Sequence, residues 1–115
     1  MKFQDMPYER VDFDQVEKAF EELKKSFAAA GSAEEQFEIH QKYYELRTRT
    51  DTMITLAQIR HDGDVTDAFY NAEQDYYDQM GPKYSNMIIE YQKLLYESPY
   101  RDGLEERIGR VAFKN

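Results

Sequence analysis

The chain contains no cysteine, which excludes disulfides and thiolate metal sites and leaves nothing that calls for an oxidising compartment. Histidine is nearly as scarce, with His40 and His61 as the only two. They stand 21 residues apart on what reads as one helix, a separation of roughly 30 Å at ~1.5 Å per residue, so they cannot share a metal within one chain. Cations are outnumbered: 15 Lys and Arg stand against 23 Asp and Glu, a net charge of -8 with a pI near 4.7. That balance argues against nucleic acid and anionic membrane surfaces as partners, because both reward clustered Lys and Arg. No apolar run approaches the ~20 residues of a membrane span. No basic segment followed by an apolar run marks a signal peptide. A soluble, cytoplasmic protein is the expectation. With five glycines and three prolines, the chain also lacks a low-complexity linker or any candidate domain boundary, so residues 1–115 read as a single helical domain.

What is abundant is charge and aromatic area. A charged fraction of 33% and a mean hydropathy of -0.89 resemble a disordered chain, yet ten Tyr and seven Phe supply ring surface that disordered chains lack. At 115 residues the chain is long enough to bury somewhat over ~60% of its unfolded surface.

The apolar residues recur with helical spacing. Residues 1–11 contain Pro7 and no sustained period, and read as an extended arm pinned by Phe3, Met6 and Tyr8. Asp12 with Gln15 forms a capping-box pattern ahead of Phe13, Val16, Phe20, Leu23, Phe27 and Ala30, and Gly31 stands where a left-handed C-terminal residue is wanted. That stripe is narrow, suited to one broad partner helix. Glu21 and Lys25 add an i,i+4 pair off the seam. Ser32 with Glu35 opens a second helix at once, with Ile39, Tyr43, Leu46, Thr50, Met53 and Ala57 inward and Phe37, Tyr44, Ile54 and Leu56 widening the face. Four threonines from Thr48 to Thr55 are mediocre helix formers, but one continuous helix to about His61 is expected. Asp62-Gly63-Asp64 signals a turn, and Asp64 or Thr66 can cap a third helix over Asp67 to Tyr96. Its predicted inner face is Phe69, Ala72, Tyr76, Met80, Tyr84, Met87, Tyr91 and Leu94. Gly81-Pro82 should kink or restart it. Ser98-Pro99 ends it, and a short helix over Asp102 to Ile108 follows before Gly109. The predicted fold is all-α, an antiparallel up-and-down bundle of three long helices plus a short C-terminal helix.

Candidate chemistry is thin. Asp62, Asp64 and Asp67 surround Gly63 but lack the alternating oxygens and twelfth-position glutamate of a calcium loop, and read as helix caps. No Glu-x-x-His pair is present for a di-iron bundle. There is no cysteine nucleophile, no Gly-rich loop after a strand and no serine in a nucleophile elbow. Catalytic, cofactor-binding and metal-ligating residues are therefore expected to be none. Packing accounts for most of the tyrosines, while some rings among Tyr43, Tyr44, Tyr70, Tyr76, Tyr77, Tyr84, Tyr91 and Tyr96 suit a surface that faces a partner.

The run IRHDGDVTDAFYNAEQDYYD, followed by GPKYSN, a long aromatic and aliphatic helix and LYESPYR, resembles the N-terminal region of oligoendopeptidase F-type enzymes, zinc metallopeptidases related to thimet oligopeptidase. The opening MKFQDMPYERVDF resembles the start of such proteins. The resemblance implies a helical front lobe that lies against a catalytic lobe and helps enclose a channel for short peptides. In that family zinc is held by a C-terminal H-E-x-x-H helix. No such motif occurs here, so the resemblance implies that zinc belongs to a longer enzyme, that no residue of this chain inherits a catalytic role, and that the isolated chain is catalytically silent and free to self-associate through a bare face. The closing residues VAFKN read as a cut. The alternative is a free-standing acidic helical adaptor or homodimerising bundle, supported by the narrow stripe of the first helix.

Overall fold

The computed structural model describes residues 7–109, and four helices account for most of them: α1 (Phe13–Ala29), α2 (Ala33–Gly63), α3 (Ala68–Glu97) and α4 (Arg101–Ile108). No strand occurs among the described residues. The architecture is the predicted one. α1, α2 and α3 run up, down and up, so α1 lies parallel to α3 and both oppose α2. Rings mark the registration: Phe13 lies on Tyr76, Tyr77 and Tyr84, Phe20 on Tyr43 and Tyr84, and Phe27 on Tyr91.

The helix starts follow from side-chain acceptors. The Asp12 carboxylate accepts from the N–H groups of Asp14 and Gln15 at the head of α1. Ser32 accepts from the N–H of Glu35, whose carboxylate accepts in turn from the N–H of Gly31 at 2.8 Å. That last bond explains one departure from expectation. Gly31 is not left-handed: α1 stops at Ala29, Ala30 is extended, and Gly109 is the one described residue with a positive φ. With the Gly31 N–H already satisfied, no left-handed turn is required there. At the next junction Asp67 caps α3, accepting from Phe69 and Tyr70, while Asp64 closes the preceding loop onto Thr66. Asp67, rather than Asp64 or Thr66, is the cap.

Two longer elements also settle. α2 continues through its threonines, as expected, with the Thr52 hydroxyl donating back to the Thr48 carbonyl at 2.7 Å. α3 continues through Pro82 as one helix without restarting. Proline removes the N–H that would reach the Asp78 carbonyl, but both residues lie on the exposed side, where water can take that carbonyl.

The core is aromatic. Phe20, Phe27, Tyr43 and Tyr91 are buried with Leu46, Leu56, Ala57 and Met87. Tyr43 and Tyr91 stack with centroids 3.7 Å apart and planes at 12°. α1 buries its stripe against two helices rather than the single one its narrowness suggests, since Phe20 touches rings of both α2 and α3. The basic partner of Glu21 is Lys24, not Lys25, and Lys24 also reaches Glu90 on α3 at 2.8 Å. α4 folds onto α2 and α3 through fully buried Leu104. The predicted inner face of α3 holds from Tyr84 to Tyr91 but slips elsewhere: Glu73, Tyr77 and Leu95 are buried in place of Ala72, Tyr76 and Leu94, and Phe69 is 56% exposed. Tyr44, assigned to the inner face of α2, is 66% exposed.

Candidate functional site

Three polar assemblies stand out in this aromatic frame. The first fastens the N-terminal arm. Glu73 is 2% exposed and looks misplaced in a helix core until the arm is added. The Tyr8 hydroxyl donates to its Oε1 at 2.6 Å, and Arg10 donates to Oε2 through both Nε, at 2.8 Å, and Nη2. The Tyr77 hydroxyl lies 2.6 Å from that of Tyr8 and accepts from the Val11 N–H, while the Tyr76 hydroxyl donates to the Val11 carbonyl. The Arg10 guanidinium also sits 4.3 Å from the centre of the Tyr76 ring. Burial pushes the Glu73 carboxyl up, but the Arg10 and Tyr8 hydrogen bonds outweigh it and hold the group below its usual range. The same burial, with Glu73 as neighbour, pushes the Tyr8 phenol up. Of the three residues expected to pin the arm, Tyr8 does so; Phe3 and Met6 lie outside the described residues.

The second assembly joins α2 to α3. The Tyr84 hydroxyl donates to Asp51 at 2.6 Å, and Arg47 stands 3.5 Å from the other oxygen of the same carboxylate. Burial, then the hydrogen bond to Asp51, pushes the Tyr84 phenol up. The third ties three elements at the opposite end: Gln36 donates to the Phe27 carbonyl at 3.1 Å and accepts from the Ser98 hydroxyl. None of Glu73, Arg10, Asp51 or Gln36 follows from an apolar pattern. The spacing 73, 77, 84, 87 and 91 was available as a signal, because Glu73 lies one turn before Tyr77 on the buried face.

These assemblies bind elements to one another; none presents a reactive group. His40 packs beside Tyr43 and Tyr91, its Nδ1 3.2 Å from the Tyr91 hydroxyl, and burial lowers its pKa. His61 lies 3.4 Å from Asp62 on the same helix. Asp62 accepts from Gln58, Asp64 from Thr66, and Asp67 caps α3, so the three carboxylates do not converge. No group of three His, Cys, Asp or Glu side chains among the described residues could hold a metal. No described helix is long and apolar enough to cross a membrane. The structure does leave concave surface: two grooves of about 730 and 370 Å³ are lined by α1 and α2 with no residue of α3, the larger one also by residues 7–12 of the arm.

Residues 3–115 match the model of the peptidase M3 N-terminal domain. The chain belongs to this family. Solved structures agree with the M3 assignment. PZ peptidase A, determined with an inhibitor, superimposes with a TM-score of 0.94 at 35% identity, over 97% of this chain and 20% of its own. An oligoendopeptidase F structure gives 0.93 at 41% identity, over 98% and 20%. An oligoendopeptidase F from Bacillus anthracis gives 0.94 at 34% identity, over 98% and 21%. This M3 N-terminal chain thus spans about a fifth of the length of the structures it matches. No curated protein is matched.

Proposed function

We propose that this chain is the non-catalytic N-terminal lobe of a zinc-dependent oligoendopeptidase that hydrolyses short peptides in the cytoplasm, and that it walls the channel through which they reach the peptidase lobe of the same polypeptide. One observation carries this: near-complete superposition on a fifth of each matched peptidase, by a chain in which no described residues form a metal cluster and no H-E-x-x-H occurs. Among the described residues no side chains group into a zinc site, and on this proposal the ligands and the general base belong outside these 115 residues. What this chain contributes is shape. Its α2–α3 hairpin has 31 and 30 residues in its two arms, each roughly 45 Å long at ~1.5 Å per residue, and it is cross-tied along that length.

The test is the size of the polypeptide that an antibody to this chain recognises in source-cell extract. A species several times heavier than 13.8 kDa, co-purifying with cleavage of a quenched peptide that a chelator abolishes and zinc restores, is the expected result. A species of 13.8 kDa alone, or zinc-dependent cleavage by the purified 115-residue chain, overturns the proposal, and the first outcome would return the chain to the adaptor reading.

A further inference from the structure

We propose that the open seam between α1 and α2 is the seat of an amphipathic helix from the peptidase lobe, oriented by carboxylates that meet Lys42 and Arg49. This rests on the front-lobe function proposed above. In a three-helix arrangement each helix pair has an inner seam closed by the third helix and an outer seam that stays open. Here α3 closes the inner side of the α1–α2 pair, and α4 is spent elsewhere, packing on α2 and α3 with Gly103 against Ala33 at the start of α2. The outer seam keeps both grooves, which share Ala19, Leu46 and Arg49 and so form one trough.

Its lining is regular. On α2 the trough is floored by Ile39, Leu46 and Met53, which recur every seven residues. That spacing keeps side chains facing a helix laid alongside. From Ile39 to Met53 the floor runs about 21 Å at ~1.5 Å per residue, four turns of a partner helix. On α1, Ala19 and Ser26, also seven apart, are small enough for another backbone to come close. Ile39 and Met53 are only partly buried, although large and apolar.

Charge selects the occupant. Lys42 and Arg49 rise on the α2 rim, again seven apart, and neither makes an ion pair with a described residue, in a chain of net charge -8. The α1 rim carries Glu22, and the arm end carries Glu9 and Asp12 together with Arg10, whose charge is already committed to Glu73. The matching helix therefore carries an aliphatic stripe, carboxylates on the flank beside α2 and a cation on the flank beside α1. A second copy of this chain is the poorer occupant, because two chains of net charge -8 repel one another.

Zero-length carbodiimide coupling of the longer polypeptide, followed by peptide mapping, tests the assignment. Lys42 is expected to be joined to an Asp or Glu beyond residue 115, and Arg49→Glu is expected to reduce the yield of that product several-fold. Coupling of Lys42 only to acids within residues 1–115, or a yield unchanged by Arg49→Glu, overturns it. A longer peptidase whose Lys42 couples only internally removes this docking site and leaves the front-lobe function standing. Absence of any longer polypeptide removes both.

Discussion

Replacing Arg10 with alanine isolates the clasp that holds the arm to α3. The substitution leaves the Glu73 carboxylate buried at 2% exposure with Tyr8 as its remaining donor. Breaking a fully buried ion pair by removing one partner costs about 3–5 kcal/mol. Arg10 is 47% exposed, so water already screens the pair, and Tyr8 continues to donate. Those two factors reduce the expected loss to about 2 kcal/mol at pH 7, close to one charge-assisted hydrogen bond. Within that loss, about 0.5–1 kcal/mol belongs to the contact with the Tyr76 ring and does not depend on Glu73.

Acid separates the two parts. In the native chain the Glu73 pKa lies below its unfolded value, so its stabilisation is full above the unfolded pKa, about 4.3 for glutamate, and is lost as pH falls through the folded one. In Arg10→Ala burial acts with one hydrogen-bonding partner fewer, so the folded pKa rises and acid no longer penalises the variant through this group. The stability difference between the two chains, measured by urea denaturation followed by circular dichroism, is therefore expected to shrink from about 2 kcal/mol at pH 7 to below about 1 kcal/mol near pH 3. In a Glu73→Gln background the Arg10→Ala effect should already be at that lower value at pH 7. A difference that stays constant from pH 7 to 3, or an equal effect in the Gln background, refutes the clasp.

Gly103→Ala places a Cβ 2.7 Å from the Ala33 Cβ, and thermal unfolding should show a loss of about 1–3 kcal/mol; a gain, as helix propensity alone would give, means α4 does not approach α2 so closely. Pro82→Ala restores an N–H facing the exposed Asp78 carbonyl in an uninterrupted α3, and should stabilise the chain by up to about 3 kcal/mol; no change in the urea midpoint argues that the helix breaks at that point. His40 is held neutral by burial, so the unfolded chain takes up the proton first and stability falls as pH drops below about 6.5. His40→Gln should flatten the stability profile between pH 7 and 5, and an unchanged slope there would place the titration elsewhere.

The residues that the sequence places correctly and those it misplaces differ in what decides them. The Asp12 and Ser32 caps, the Phe13 to Phe27 stripe and the continuity of α2 are local, and short-range spacing is enough to read them. The restart allowed for at Pro82 does not occur, because the penalty depends on whether water reaches the carbonyl one turn earlier, which is a property of the fold. The face of α3 slips for a related reason. An apolar pattern passes over Glu73 and settles on its neighbours, because a carboxylate is admitted to a core only when partners neutralise it, and those partners lie more than sixty residues away on the arm. A periodic reading can show that position 73 is in phase with Tyr77 and Tyr84, but not that Arg10 and Tyr8 will be there. In a chain covering about a fifth of each peptidase it matches, the docking proposal reads the unpaired cations of the α1–α2 trough in the same way. Lys42 and Arg49 are to the proposed peptidase lobe what Glu73 is to the arm, a charge whose position makes sense only once its distant partner is known.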